Sequence, residues 1–284
     1  MKKTFLSLIL LIFTISNLGA HTSHYKGIKV INMDVFRNGK LIGYSNYFFT
    51  HGKDTLEVKN YTKFKVKLMQ LVIFSVSGES LEKYKNGKLI SYQSTTFQND
   101  KEKYVKLNFD EKNNNFLIDG SSFKGKVDTE TIIGHWWNHK ILKVDKQISP
   151  ISGSIKKQIV KFIEAESIKL NEKNYILHHY KLISQNSNLP EDKRLDFDIW
   201  LNPKNNLIYK ITYERAGKWE YRLKNFEIKK LKILINKLAI KLFEKINAKT
   251  TIKYIIVTIL FLFLLNLTNG LSSRSDISLI PTTG

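Results

Sequence analysis

Between residues 28 and 227 apolar and polar positions alternate with a period of two over most of the chain. "KFKVKLMQLVIFSVSG" sets Phe64, Val66 and Leu68 against lysines and then turns fully apolar. "KYVKLNF", "NNFLIDG", "NYILHHYKLIS" and "DFDIWLNPKNNLIYKITYE" continue the series. That period places alternate side chains on opposite faces of a strand. A change from alternation to continuous hydrophobicity predicts a sheet that meets solvent at its ends and is enclosed mid-way.

Turn chemistry punctuates the pattern. Asn38-Gly39-Lys40 and Asn86-Gly87-Lys88 each separate two runs rich in β-branched and aromatic residues. Asn-Gly takes positive φ at low cost, as a type I′ hairpin turn requires. Pro203 to Asn206 predicts a third hairpin. "SIKKQIVKFIEAESIKL" fits a helix or a strand through Ile155, Ile159, Phe162 and Ile163, and strand is the reading favoured here. With four prolines and short turn clusters, the body over 21–227 reads as one mainly β domain. It is expected to be a single antiparallel, strongly curved half-barrel or closed barrel of about ten to twelve strands, with its edges protected by closure.

Both ends differ from this body. Residues 1–20, with Lys2 and Lys3, an apolar run from Phe5 to Ile15 and Gly19-Ala20, have the layout of a secretory signal peptide, with cleavage expected before His21. This implies export to a bacterial periplasm. Residues 228–253 place Ile228, Leu231, Leu234, Ile235, Leu238 and Leu242 at helical spacing among lysines, which predicts a C-terminal basic amphipathic helix able to contact a membrane. Residues 254–271 reach the minimum length for a transmembrane segment. Their flanking lysines oppose the positive-inside rule, and Lys249 to Leu271 also resembles a second signal peptide from a fused or misread gene boundary. Anchor, peripheral helix and spurious tail all stay open, and 272–284 reads as a disordered tail.

Composition narrows the function. The chain has no cysteine, so the fold is held without disulfides. The net charge is +21, of which residues 21–227 carry +12, with scattered lysines rather than clusters. Nucleic acid is therefore not an expected partner, and anionic lipid headgroups suit this charge better.

The densest chemistry lies in "TIIGHWWNHKIL", residues 131–142. His135 and His139 would stand about 6 Å apart on a helix, within reach of one metal, but roughly 13 Å apart on a strand. Gly134, Trp136, Trp137 and Asn138 make a poor helix, so a strand is expected here and no metal is assigned. His178 and His179, as strand neighbours, point oppositely. Asp196 and Asp198 co-face about 7 Å apart, a spacing compatible with glycoside hydrolysis, but an outward polar stripe beside inward Phe197 and Ile199 is by far the favoured reading. No Gly-x-Ser-x-Gly turn or phosphate-cradling glycine loop occurs, so no catalytic residue and no cofactor is named. Trp136 and Trp137 should face opposite sides, one closing the core. Trp137 with His135 and His139 is the candidate lining of an apolar pocket. The candidate ligand-binding residues are His135, Trp136, Trp137, Asn138, His139 and Trp200.

The order Arg37-Asn-Gly-Lys-x-Ile-Gly, Asn86-Gly-Lys, Trp136-Trp137-Asn138 and "DFDIWLNPKNNLIYKITY" resembles an uncharacterised family of bacterial secreted β-proteins, over about residues 27–227. The resemblance implies kinship with half-barrels that carry lipoproteins and other apolar cargo between membranes, and supplies no catalytic residue. The expectation is a non-enzymatic envelope protein that binds an amphiphilic or apolar ligand. A structural or interaction module is the alternative, and a hydrolase is more distant.

Overall fold

The computed structural model describes residues 25–228 and 258–262. The expected signal peptide, the amphipathic segment beyond Ile228, most of 254–271 and the tail 272–284 lie outside the described residues. Residues 258–262 form a short helix. Among the described residues no helix is long and apolar enough to cross a membrane.

The first half of the chain runs as a meander of β1 (Ile28–Arg37), β2 (Lys40–His51), β3 (Thr55–Leu68), β4 (Leu71–Lys85), β5 (Lys88–Gln98), β6 (Lys101–Asp110), β7 (Asn115–Gly120) and β8 (Lys124–Asp128). The second half comprises β9 (Ile132–Ile133), β10 (Lys146–Ile148), β11 (Ile155–Leu170), β12 (Lys173–Ser184), β13 (Asp196–Asn202), β14 (Leu207–Glu214) and β15 (Lys218–Ile228). It grows back until β15 pairs with β1, giving a single 15-stranded sheet with β8 and β9 at its edges. The fold is mainly β, one large curved sheet that stays open. The count exceeds the sequence expectation because short strands such as β8, β9 and β10 are too brief to show alternation. A second departure is that β9 and β10 pair in parallel, joined by the twelve residues 134–145, the kind of crossover that parallel pairing demands.

The Asn-Gly turns behave as their chemistry dictates. Asn38 and Gly39 have φ of 49° and 75°, Asn86 and Gly87 49° and 76°. The third hairpin turns at 203–206, where the Asn206 N–H donates to Asn202 O (2.8 Å). The ambiguous segment is strand β11.

The open seam is bridged by the 149–154 loop. Ser122 N–H donates to Ser152 O (2.9 Å), and the Tyr92 and Ser94 hydroxyls donate to Pro150 O (2.8 and 2.7 Å). Gly120 makes the approach feasible, since a Cβ there would stand 2.7 Å from Ser152 O.

Across β2 to β6 the inner face is graded in transverse rungs set by register. At one end Phe49, Leu56, Val58, Tyr84 and Leu107 join the main core. Next come two rungs of small polar groups: Tyr47, Asn60, Ser80 and Ser94 in one, Ser45, Thr62, Gly78 and Thr96 in the other. At the far end Phe64, Val66 and Val76 form a satellite apolar cluster with Val35 and Trp219.

Candidate functional site

Glu82 sits where the filled core meets the polar rungs, 1 % exposed, on the inward row Val76, Gly78, Ser80, Glu82, Tyr84 of β4. A carboxylate there survives only with partners, because burying an unpaired charge costs several kcal/mol. It has three. Trp137 Nε1–H donates to Oε1 (2.7 Å), His135 Nδ1 lies 2.7 Å from the same oxygen, and the Tyr84 hydroxyl donates to Oε2. With the carboxylate accepting from all three, His135 presents Nδ1–H to it.

Rings close around this hub. Trp137 meets Tyr25, Phe49 and Tyr84 edge-on at 4.8, 5.3 and 6.0 Å between centroids. His135 lies edge-on to Tyr47 and Tyr92 at 5.7 and 5.6 Å. Burial, with the Glu82 charge adding to it, pushes the Tyr25, Tyr47, Tyr84 and Tyr92 hydroxyls well above the usual phenol range. They serve as neutral hydrogen-bonding groups.

Above the hub the inner face opens into a cavity of about 760 Å³. His135 and Trp136 lie in its floor, the hydroxyl and amide groups of Ser45, Asn60, Thr62, Ser94 and Thr96 form its belt, and Phe64, Val66, Phe74, Val76 and Trp219 line its outer part. The belt is internally bonded: Ser45 Oγ and Thr62 Oγ1 are 2.7 Å apart, and Asn60 Nδ2–H donates to Ser45 Oγ (3.1 Å). Burial pushes the Tyr213 hydroxyl in the wall up to about 12. At the rim stand Arg37, Lys156 and Arg215 with Asp192. Lys156 Nζ donates to Lys193 O (3.2 Å), and Arg215 donates to Glu191 O and Arg194 O (3.2 and 2.9 Å). Burial, aided by the charges of Arg215 and Lys193, holds the Lys156 ammonium below its ordinary pKa.

Residues 33–224 match the family model of a domain of unknown function, DUF6134. The chain belongs to this family. Among solved structures the DUF6134 chain is similar to a β-barrel-like protein of another domain of unknown function, DUF1849, from Brucella abortus. The identity is 7 %, the coverage 71 % of this chain and 96 % of that one, and the TM-score 0.48. It is also similar to a candidate lipoprotein from Parabacteroides distasonis, with 13 % identity, 71 % and 95 % coverage and a TM-score of 0.29. No curated protein matches the chain.

In this DUF6134 sheet the six residues singled out from sequence divide. Residues 135–139 are a turn leading into a 3₁₀ helix, His139–Leu142, and the expected strand is absent. The reason is local. The chain turns tightly where His135 N–H donates to Ile133 O (2.9 Å) and again where Asn138 N–H donates to His135 O (3.2 Å), and Gly134 at the first turn packs so closely on Gln147 that a Cβ would stand 1.8 Å from its Oε1. Asn138 then caps the 3₁₀ helix, its side chain accepting from Lys140 N–H (3.1 Å). The two tryptophans do diverge, in the opposite sense to the pocket reading. Trp137 is 2 % exposed and bonded to Glu82, while Trp136 lines the cavity against Phe197 and Tyr221. His135 shares that wall. His139 is turned toward Tyr25, whose hydroxyl accepts from the His139 N–H (2.8 Å) and meets its Nδ1 at 2.6 Å.

Trp200 is elsewhere. It lies on the outer face in a row with His179 of β12 and Lys210 of β14. His179 stacks on it at 4.5 Å, Lys210 covers it at 4.6 Å, and its Nε1–H donates to Glu166 Oε1 (2.6 Å). Glu164, Glu166 and His179 bring their ligand atoms within 4.8 Å of one another, a grouping that could hold a metal ion. Both His179 nitrogens already face acids, Nδ1 to Glu166 (3.3 Å) and Nε2 to Asp198 (2.9 Å), so the cluster is satisfied as a polar cover over Trp200. Asp196 and Asp198 share Lys181 (2.6 and 2.8 Å). Burial alone would raise the Asp198 pKa, yet the bonds from Lys181 and His179 hold it below the ordinary carboxylate range.

Glu82, Tyr25 and the polar rungs escaped the sequence reading. The available signal was the period-two row Gly78, Ser80, Glu82, Tyr84, in which a carboxylate occupies the face that Val76 marks as inward.

Proposed function

We propose that this chain is a non-enzymatic protein of the bacterial envelope that holds an amphiphile in the inner cavity. The carrying observation is the gradient of that cavity: an uncharged hydrogen-bonding belt near the floor and an aromatic and aliphatic outer part, in a volume typical of small-molecule sites. Such a lining suits a ligand with a polar, hydrogen-bonding portion and an apolar portion. The amino-terminal signal-peptide pattern supports export.

The test uses purified protein, first extracted and analysed by mass spectrometry for a copurifying amphiphile. Delipidated protein is then titrated with an anilinonaphthalene dye and challenged with long-chain fatty acids and alcohols. Saturable dye binding and its displacement are expected. Thr96→Phe, which fills the cavity at belt height, should weaken binding at least tenfold while the variant still unfolds cooperatively, its melting temperature lowered only modestly. Protein that takes up no probe and copurifies with nothing would end this reading in favour of a ligand-free structural module.

One arrangement favours a second reading. His135 lies in the cavity wall with Nδ1 held by Glu82, as a general base is oriented in hydrolases. Among the described residues no serine or threonine hydroxyl bonds to His135, which ranks binding above hydrolysis. An esterase activity abolished by His135→Ala would reverse that order.

A further inference from the structure

The β3–β4 hairpin outgrows the sheet that carries it. Pairing with β2 stops at Gly43↔Phe64, and pairing with β5 stops at Val76↔Gln98. Among the described residues, 65–68 and 71–75 therefore form ladder pairs only with each other, from Lys65↔Ser75 to Leu68↔Leu71. Four strand residues make an arm of roughly 13 Å. Its tip is apolar: Leu68 is 59 % exposed, Met69 91 % and Leu71 72 %, with Val72 and Ile73 also exposed. Isolated apolar side chains on a surface are ordinary, but five within six consecutive positions mark an interaction site. The turn adds to this. Met69 and Gln70 have φ of 46° and 69°, a conformation that Asn-Gly adopts readily and that Met-Gln reaches only with strain. The β1–β2 and β4–β5 turns, by contrast, carry Asn-Gly at the corresponding positive-φ positions.

Charge identifies the partner. Lys63, Lys65 and Lys67 are exposed and alternate with the inward Phe64 and Val66 along the same strand. An apolar tip with a cationic flank fits the boundary between lipid headgroups and acyl chains, where amphipathic elements bury about 5–10 Å of their length and nearby lysines gain from anionic headgroups. Arg37, Lys156 and Arg215 at the cavity rim extend the same sign. β15 ends at Ile228, opposite Ile28, whereas the arm starts level with Val35 and its tip just passes the Arg37↔Trp219 end of the same strand pair, roughly 30 Å away.

We propose that the β3–β4 arm docks the protein on an anionic bilayer, with Leu68, Met69, Leu71, Val72 and Ile73 entering the interface and Lys63, Lys65 and Lys67 meeting lipid phosphates. Ile73 and Phe74 also line the cavity, so docking would set the cavity mouth against the membrane and give an acyl chain a continuous apolar route inward. The docking itself does not depend on the cavity having a ligand; only the route rests on the reading of the previous subsection.

The cysteine-free chain makes a local test direct. In full-length protein, Met69→Cys and, at the opposite end of the sheet, Lys53→Cys each give a single thiol for a polarity-sensitive fluorophore. Vesicles containing phosphatidylglycerol should blue-shift the emission from position 69 and leave position 53 unmoved, with a much smaller shift at position 69 for pure phosphatidylcholine. In flotation, the double change Lys65→Glu with Lys67→Glu should lower partitioning at least tenfold, and Leu68→Asp with Leu71→Asp should abolish the tip's contribution. Both sites are exposed, so melting temperatures should not move. Four outcomes would overturn the proposal: no shift with any vesicle, equal shifts at positions 69 and 53, equal shifts with charged and neutral vesicles, or a protein-concentration-dependent shift without lipid, which would assign the tip to a second copy of the chain. If dye binding in the cavity fails while the tip still docks, only the route is lost.

Discussion

At the scale of single residues the molecule turns on Glu82. Three donors converge on one carboxylate, so its removal leaves an indole N–H, an imidazole N–H and a phenol unpaired in a dry interior. Glu82→Ala should cost about 3–5 kcal/mol, as losing one side of a buried charged network does. Glu82→Gln keeps the shape and one acceptor and should cost less. Urea unfolding followed by tryptophan fluorescence checks the order of the two, and equal midpoints would show that the hub contributes shape alone. Asp198 gives a pH signature. Its folded pKa is depressed, so its stabilisation is complete above the ordinary carboxylate value of about 3.9 and is lost as pH falls through the depressed folded value. Asp198→Asn should therefore lower stability at pH 7 and flatten the decline below about pH 4, read from melting temperatures across that range.

Among elements, the sharpest dependence lies at the open seam. The 149–154 loop reaches across a gap that no strand pair closes to bond β5 and Ser122 just after β7, and Gly120 provides the space. Gly120→Ala places a Cβ against the Ser152 carbonyl and should cost about 1–3 kcal/mol, in the range of overpacked cores. Gly39→Ala has no atom within 4 Å of its Cβ, so only its positive φ of 75° stands against it, and it should cost less. Denaturation midpoints of the two variants separate contact from backbone strain.

For the whole molecule, the gradient from filled core to open cavity implies a gradient of stability. Local opening is easiest where few apolar contacts and many solvent-facing backbone bonds occur. Amide hydrogens of residues 65–74, in the arm, should exchange first, and those around Tyr84, Leu107 and Trp137 last, near the global unfolding limit. Hydrogen exchange read by mass spectrometry tests this, and uniform protection along β4 would contradict it. Binding of an amphiphile should slow exchange around Ser45, Thr62 and Thr96 first.

The linear order of residues was enough to determine the class of fold, the Asn-Gly hairpins and the strand character of 155–170, because period-two alternation and positive-φ turns are local properties. It also marked His135, Trp136 and Trp137 as chemically dense. Tertiary structure decided which ring faces what. The tight turn in which His135 N–H folds back onto Ile133 O ends the strand that alternation would have continued, and beyond it Trp137 is turned into the core and Trp136 toward the cavity. Trp200 and Glu82 could not be placed by spacing, since partners such as Glu166 and Trp137 lie 34 and 55 residues away along the chain. The open sheet and the projecting arm likewise depend on where neighbouring strands stop. That is set by register between strands, and a period of two along one strand carries no information about its neighbour's length.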